Sequence, residues 1–217
     1  MPPPPVPDER TLPQLWFTPA AWIKLNWLAH AGDTEIGGFG LTEDPHELCV
    51  SEFHLVAQQC TAVTVSFDDE SVADYFERMV DAGHKPEQFA RVWLHTHPGD
   101  SPFPSGTDER TFRRVFGSCD WAIMFILARG GATYARLRFS AGPGGQVLIP
   151  VGVRWEEPMG EIEEEAWAME YESNVRELVD HPAGQWPEWW DDPTVPAMTE
   201  QEKDTQQMAE VLHGIFD

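Results

Sequence analysis

Short apolar runs that alternate with helix-like segments constrain this chain more than any other feature. Between residues 13 and 155, seven runs have the length and side-chain content of strands: 35–41, 48–56, 61–67, 89–96, 121–128, 133–139 and 147–155. Three segments with helical patterning lie before or between them: 19–32, 68–83 and 106–116. Strands interleaved with helices predict an α/β or α+β domain, in which helices cover the faces of a sheet.

Capping signals indicate where two of these helices begin. Thr18 precedes Pro19, which predicts an N-cap followed by proline in the first turn. Asp68, Asp69 and Glu70 place negative charge where the N-terminus of a helix favours it. The sequence therefore predicts helix starts next to Thr18 and within the acidic triplet.

The charge of the chain argues against several classes of partner. The sequence has 37 acidic and 14 basic residues, a formal net charge of −23 and a pI of about 4.5. Such a surface repels phosphate backbones and anionic lipids, so we expect neither a nucleic-acid partner nor a membrane partner. No apolar stretch approaches the ~18 residues of a membrane span, and no secretory signal is recognisable. Because the three cysteines are odd in number and widely separated, we expect a cytoplasmic protein without a disulfide framework, and the absence of a CxxC motif argues against a thiolate zinc site.

The charge is distributed unevenly, and this predicts the domain organisation. Residues 1–155 carry 19 acidic and 12 basic side chains, whereas residues 156–217 carry 18 and 2. We therefore expect a disordered proline-rich tail at 1–12, a folded domain at 13–155 and an acidic helical extension at 156–217. The extension is either a solvated helix pair or a lid or docking arm, anchored by its tryptophans Trp186, Trp189 and Trp190.

One segment carries candidate metal ligands. His95 and His97 stand two residues apart at the end of a predicted strand, so both side chains lie on the same face. Asp108 follows His97 by eleven residues, in the first turn of a predicted helix. Two imidazoles and a carboxylate suit zinc and leave a fourth position for water, as in catalytic zinc sites. Each fragment alone is weak evidence, because Ser105 and Asp108 also fit a helix capping box.

The combination resembles the signature of the JAMM (JAB/MPN) metallopeptidases. That signature is His-x-His-Pro, six further residues and Ser-x-x-Asp. Its positions are occupied here by His95, His97, Ser105 and Asp108. The family also needs an upstream glutamate followed closely by glycine, and Glu35 supplies it 60 residues before His95. The resemblance covers roughly residues 13–155 and does not extend to the acidic extension.

The resemblance implies a fold, a cofactor and a set of residue roles. The fold would be the family's cytidine-deaminase-like α/β fold, with a mixed sheet flanked by helices. One Zn²⁺ per chain would be held by His95, His97 and Asp108 and would acidify a water molecule. Glu35 would act as the general base and then as the general acid, and Ser105 would hydrogen-bond the oxyanion.

The resemblance also implies a substrate class. The family cuts the amide or isopeptide bond after the C-terminal glycine of ubiquitin or a ubiquitin-like protein. The expected partners are such a protein and its conjugating enzymes. We expect the extended tail to add to a sheet edge, with the glycine-rich residues 36–40 permitting close backbone approach. The short form is similar to the bacterial branch, which accompanies ubiquitin-like conjugation systems, some of them in anti-phage defence.

Three other interpretations remain open from the sequence. A peptidase that releases a sulfur-carrier protein from an adduct, in cysteine or cofactor biosynthesis, would carry the same motif. A small-molecule hydrolase could use the same zinc site. A non-catalytic MPN scaffold usually lacks a ligand or the glutamate, so the presence of all five residues argues against it.

The other histidines are expected to be surface or core groups: His30, His46, His54, His84, His181 and His213.

Overall fold

The computed structural model describes residues 13–178. In chain order the elements are β1 (Leu15–Phe17), α1 (Pro19–Ala29), β2 (Gly37–Thr42), β3 (Cys49–Leu55), β4 (Gln58–Cys60), β5 (Val65–Phe67), α2 (Asp69–Asp81), α3 (Pro86–Phe89), β6 (Val92–His97), α4 (Gly106–Val115), β7 (Trp121–Ala128), β8 (Thr133–Phe139), β9 (Gly145–Leu148), β10 (Val151–Val153), α5 (Glu164–Asn174) and β11 (Val175–Glu177). The predicted tail at 1–12 and the residues Trp186, Trp189 and Trp190 of the extension lie outside the described residues.

A curled mixed sheet of eight strands forms the centre of the domain. Its strand order is β10-β1-β3-β2-β6-β7-β8-β9. β1 runs parallel to β10 and to β3, and β6 runs parallel to β7, whereas the remaining neighbours are antiparallel. A second sheet has the order β11-β4-β5. The predicted α/β arrangement, with a mixed sheet and flanking helices, is confirmed at this level.

Helices cover both faces of the large sheet. On one face, Tyr75 of α2 and Phe112 of α4 pack in a buried cluster with Trp93 of β6. On the opposite face, Leu25 of α1 packs in a second cluster with Phe125 of β7. Because consecutive strand residues point to opposite faces, Trp93 and every second residue after it lie on the side of α4. This alternation places the side chains of His95 and His97 on the same face of the sheet as Trp93.

The predicted helix starts and two predicted strands are confirmed. Thr18 Oγ1 accepts a hydrogen bond from the Ala21 N–H at 3.2 Å, and Asp68 Oδ1 accepts one from Ser71 N–H at 2.9 Å. These bonds satisfy N–H groups that have no partner within the helix. The strands predicted at 121–128 and 133–139 coincide with β7 and β8.

Two predicted strands are wrong in extent. The run 147–155 forms two strands, because Pro150 stands between β9 and β10 and has no N–H to donate. Only the end of the run 61–67 is a strand. Cys60 pairs with Val65, so the residues between them form the turn of a hairpin. The three-residue strands β1, β4 and β11 and the short helix α3 were not predicted at all.

The described part of the extension packs on the domain. Trp167 of α5 is 8% exposed, and its ring centre lies 6.1 Å from that of Trp27 on α1. Glu170 Oε1 accepts a hydrogen bond from the Leu55 N–H at 3.0 Å, and β11 pairs in parallel with β4. Within the described residues, the helical structure expected for the extension is limited to α5, which ends at Asn174 and is followed directly by the strand β11. Within residues 13–178, no helix combines the length and apolar character needed to cross a membrane.

Candidate metal centre

The two candidate histidines end the central strand β6. Gly37 of β2 is the cross-strand partner of His95, and β7 flanks β6 on the other side. His95 is 1% exposed, while His97 lies partly open at the end of the strand. Both rings share the face of Trp93, whose ring stacks on that of His95 with centres 4.5 Å apart. The strand that carries both imidazoles is therefore flanked by β2 and β7, and Trp93 packs against the ring of His95.

The candidate carboxylate is presented by the first turn of α4. Ser105 is the N-cap, and its Oγ accepts a hydrogen bond from the Asp108 N–H at 3.1 Å. Asp108 Oδ2 in turn accepts one from the Ser105 N–H at 2.6 Å. This reciprocal pair is a capping box. The predicted cap and the predicted ligand are therefore compatible, because Oδ2 accepts the capping hydrogen bond while Oδ1 faces His95 of β6.

The three side chains come close enough to share one ion. The Nε2 atom of His95 lies 3.4 Å from Asp108 Oδ1, and the Nε2 atom of His97 lies 3.8 Å from Asp108 Oδ2. One donor atom from each residue lies within 4.8 Å of the others. Neither Nε2 atom makes a hydrogen bond, although both are buried. Buried polar atoms normally have partners, so this cluster could hold a metal ion.

A backbone carbonyl orients His97. Its Nδ1 atom lies 2.8 Å from the carbonyl oxygen of Ser101. A carbonyl can only accept, so Nδ1 carries a hydrogen, and in the neutral ring Nε2 is left with the lone pair that could bind a metal. Metal-binding histidines are commonly oriented by such a bond at the second ring nitrogen.

Burial and the carboxylate set the charge of the cluster. Burial lowers the pKa of His95, although Asp108 opposes this. Burial lowers the pKa of His97 too, but interactions with Asp108 and the Ser101 carbonyl outweigh it and leave that pKa raised. Burial alone would raise the pKa of Asp108, but its interactions with the two histidines hold that pKa well below the usual range. The cluster therefore combines imidazole nitrogens with a persistent negative charge, which suits a divalent cation.

Glu35 reaches the same site from the segment before β2. Its N–H donates to the Thr61 carbonyl at 2.8 Å. The next residue, Ile36, accepts from the Thr96 N–H at 2.9 Å and donates to Thr96 Oγ1 at 3.2 Å. Glu35 Oε1 lies 3.5 Å from the Nε2 atom of His97. Burial raises the pKa of this carboxyl to about 8, so in the metal-free protein it takes up or releases a proton near neutral pH.

A buried glutamine holds the backbone beside Glu35. The Gln58 side chain accepts from the Gly37 N–H at 2.8 Å and donates to the Gly37 carbonyl at 2.8 Å. It also donates to the Val56 carbonyl at 2.9 Å. The side-chain amide thus pairs with Gly37 as a neighbouring strand would, and it connects β4 to the start of β2.

The glycine-rich residues 36–40 do not form an open sheet edge, so the expected tail-binding role for them is wrong. β2 lies between β3 and β6 and pairs with both. A Cβ atom on Gly38 would lie 2.2 Å from the His54 carbonyl oxygen, and one on Gly40 would lie 2.7 Å from Leu94 Cδ1. The small residues are therefore required by internal packing rather than by an incoming chain.

The five predicted site residues lie together, and the sequence analysis missed the groups that support them. Trp93 precedes His95 by two residues, so strand alternation could have identified it as the neighbour of the ligand ring. No sequence signal identifies the Ser101 carbonyl, because any residue could supply it. Among residues 13–178, His95, His97 and Asp108 form the one cluster of potential ligands. The other described histidines do not join it; His54, for example, pairs with Glu52.

The interpretation of this cluster as a metal centre rests on the five site residues alone. Comparison with known proteins finds no family model that matches the chain and no curated protein that matches it.

Proposed function

We propose that this protein is a zinc-dependent peptidase of the JAMM type, with the JAB/MPN fold. One observation carries the proposal: three separate segments bring a glutamate to within 3.5 Å of a largely buried cluster of two histidines and an aspartate. A structural metal site has no need of a buried carboxyl beside it that is not itself a proposed ligand. A hydrolytic site does, because its general base must both accept and return a proton.

The ligand set supports zinc as the metal. His95 and His97 offer nitrogen and Asp108 offers oxygen, and zinc takes this mixture with a fourth position left for water or substrate. When bound, zinc supplies a Lewis acid that acidifies water and polarises a carbonyl. We propose one Zn²⁺ per chain.

Glu35 is the proposed proton carrier. As water adds to the carbonyl carbon of the scissile amide, its proton passes to Glu35. The C–N bond then breaks, and the same proton passes from Glu35 to the departing nitrogen. In the metal-free protein burial raises the pKa of this carboxyl, and a carboxyl whose pKa is tuned upward toward neutrality can both accept and return a proton near neutral pH.

Ser105 is the proposed oxyanion donor. Its Oγ uses a lone pair to cap α4, accepting from Asp108 N–H at 3.1 Å. That bond leaves the hydroxyl hydrogen to be donated elsewhere, and the residue is exposed at the mouth of the site. A donor held in place by its own helix cap needs little rearrangement to stabilise the charge that develops on the carbonyl oxygen.

The proposed substrate is a ubiquitin-like protein, cleaved after its C-terminal glycine from a peptide or an isopeptide-linked partner. This follows from the resemblance of the five site residues to the JAMM signature. On the same ground we propose a cytoplasmic enzyme that works beside the conjugating enzymes of a bacterial ubiquitin-like system, such as one in anti-phage defence. Release of a sulfur-carrier protein from an adduct is the second candidate, because it would use the same five residues.

A cleavage panel tests the proposal. Ubiquitin-like proteins and sulfur-carrier proteins, each extended past the terminal glycine by a short peptide, would be incubated with the full chain. We expect cleavage after the glycine that stops with a chelator and returns when zinc is added. Cleavage that persists in the chelator would contradict metal dependence, and absence of cleavage across the panel by zinc-loaded protein would contradict the substrate class.

A further inference from the structure

Arg136 of β8 lies buried against α4, outside the proposed ligand set. It is 7% exposed. Its Nη1 and Nη2 atoms donate to the two carboxylate oxygens of Glu109 at 2.7 and 2.8 Å, and its guanidinium lies 5.5 Å from the centre of the Phe112 ring. A two-pronged pair of this kind fixes orientation as well as distance. Because both partners belong to α4, Arg136 holds the start of that helix against the sheet.

The two partners of this guanidinium adjoin the metal ligands. Glu109 directly follows Asp108 in the first turn of α4. Phe112 stacks on Trp93 with ring centres 6.3 Å apart, and Trp93 stacks on His95. The guanidinium therefore contacts both the turn that presents the carboxylate and the aromatic stack that supports an imidazole.

We propose that Arg136 is a positioning residue for the metal centre, and that its pair with Glu109 holds α4 where Asp108 meets the two histidines. The proposal rests on the metal-dependent function proposed above. Ligand atoms must meet a metal within about 0.2 Å of their ideal distances, so a small shift of α4 weakens binding. Groups that support ligands in this way are typically worth about 10–100-fold in metal affinity.

The sign of the change in zinc affinity distinguishes a positioning role of Arg136 from a purely electrostatic one. Loss of Arg136 would leave Glu109 without its positive partner, and by Coulomb attraction alone the site would then bind a cation more tightly. Loss of positioning has the opposite effect. Arg138 offers a matched control, because it lies on the same strand and its Nη1 donates to the Phe116 carbonyl at 3.1 Å, at the far end of α4.

Zinc affinity of the full chain, measured by competition with a chromophoric chelator, tests the proposal. We expect Arg136→Met to bind zinc about 10–100-fold more weakly than wild type. Arg136→Lys keeps the charge but loses the planar fork, and we expect it to bind more weakly as well. Arg138→Met, which also removes a charge and a contact between α4 and β8, should bind as wild type does. Circular dichroism establishes whether each variant is folded. If Arg136→Met does not fold, the zinc affinity of Arg136→Lys tests the proposal instead.

Unchanged or tighter zinc binding by the folded Arg136 variants would overturn the proposal. An equal loss of zinc affinity in Arg138→Met would overturn it too, because removing any contact between α4 and β8 would then weaken zinc binding. Turnover is measured separately. Weaker zinc binding by the Arg136 variants, with no cleavage of the panel by zinc-loaded wild type, supports the positioning role while contradicting the proposed substrate class. Unchanged zinc binding by these variants of an active peptidase does the reverse. A wild type that binds no zinc overturns both.

Discussion

Replacing Glu35 by glutamine should stabilise the metal-free protein at neutral and alkaline pH. The carboxyl is 6% exposed, and burial raises its pKa from 4.5 to about 8. In the unfolded chain the same group ionises near 4.5. The folded protein therefore binds more protons than the unfolded chain between these pH values. The stability that the neutral carboxyl provides is fully present below pH 4.5 and is lost as the pH rises to about 8.

The magnitude follows from the two pKa values. Between pH 5 and pH 8, wild-type stability should fall relative to the variant by about 1.4 kcal/mol for each pH unit. The accumulated difference at pH 9 is on the order of 4–5 kcal/mol. Glutamine is always neutral and has almost the same shape, so it avoids this cost.

Urea unfolding of chelated protein at pH 5, 6, 7, 8 and 9, followed by tryptophan fluorescence, measures this difference. Glu87→Gln is the matched control, because it removes the same charge at an exposed position of α3. We expect the difference in free energy of unfolding between Glu35→Gln and wild type to grow with rising pH. The difference between Glu87→Gln and wild type should stay constant. A difference between Glu35→Gln and wild type that does not change with pH would refute the argument that burial keeps this carboxyl neutral.

Three further substitutions probe the ligand, the buried amide and the extension. Asp108→Ala should lose most of the bound zinc, measured as metal content per chain, because one of three ligands is gone; unchanged content would refute the ligand assignment. Gln58→Met should lower the free energy of unfolding by about 1–3 kcal/mol, because buried backbone groups lose their partners, whereas Gln59→Met, on the exposed side of β4, should change it little. Trp167→Ala should cost about 3 kcal/mol in thermal or urea unfolding, compared with almost nothing for the exposed Met169→Ala; equal effects would mean that α5 is not part of the core.

The parts of the fold that the sequence predicts are those that local pattern determines. β7 is a continuous apolar run of eight residues, and α2 has an acidic N-cap and one apolar face. β1 and β11 have three residues each and exist because they pair with distant strands. Nothing in a three-residue window encodes such a pairing. The same limit explains why the charge break at residue 155 does not coincide with a break in packing.

The residues of the candidate site also fall into two groups, those that local sequence pattern indicates and those that only the fold brings in. The spacing of His95, His97 and Asp108 indicates candidate metal ligands, because a strand end and the next helix start can meet at one edge of the sheet, and the resemblance to the JAMM signature strengthens that interpretation. Periodicity could not place Glu35 beside them; only the family resemblance implied it, and the structure brings its carboxylate to 3.5 Å from His97. The pair between Arg136 and Glu109 joins residues 27 apart, and sequence alone gives no sign of it.

The turnover of zinc-loaded wild type and zinc-loaded Glu35→Gln on the same ubiquitin-like substrate tests the central claim most directly. Both proteins should carry one zinc per chain, because Glu35 is not a proposed ligand. We expect the variant to turn over at least ~10²-fold more slowly, since no other group at the site is proposed to carry the proton. A variant with full zinc content and wild-type turnover would contradict the claim that Glu35 is the general base.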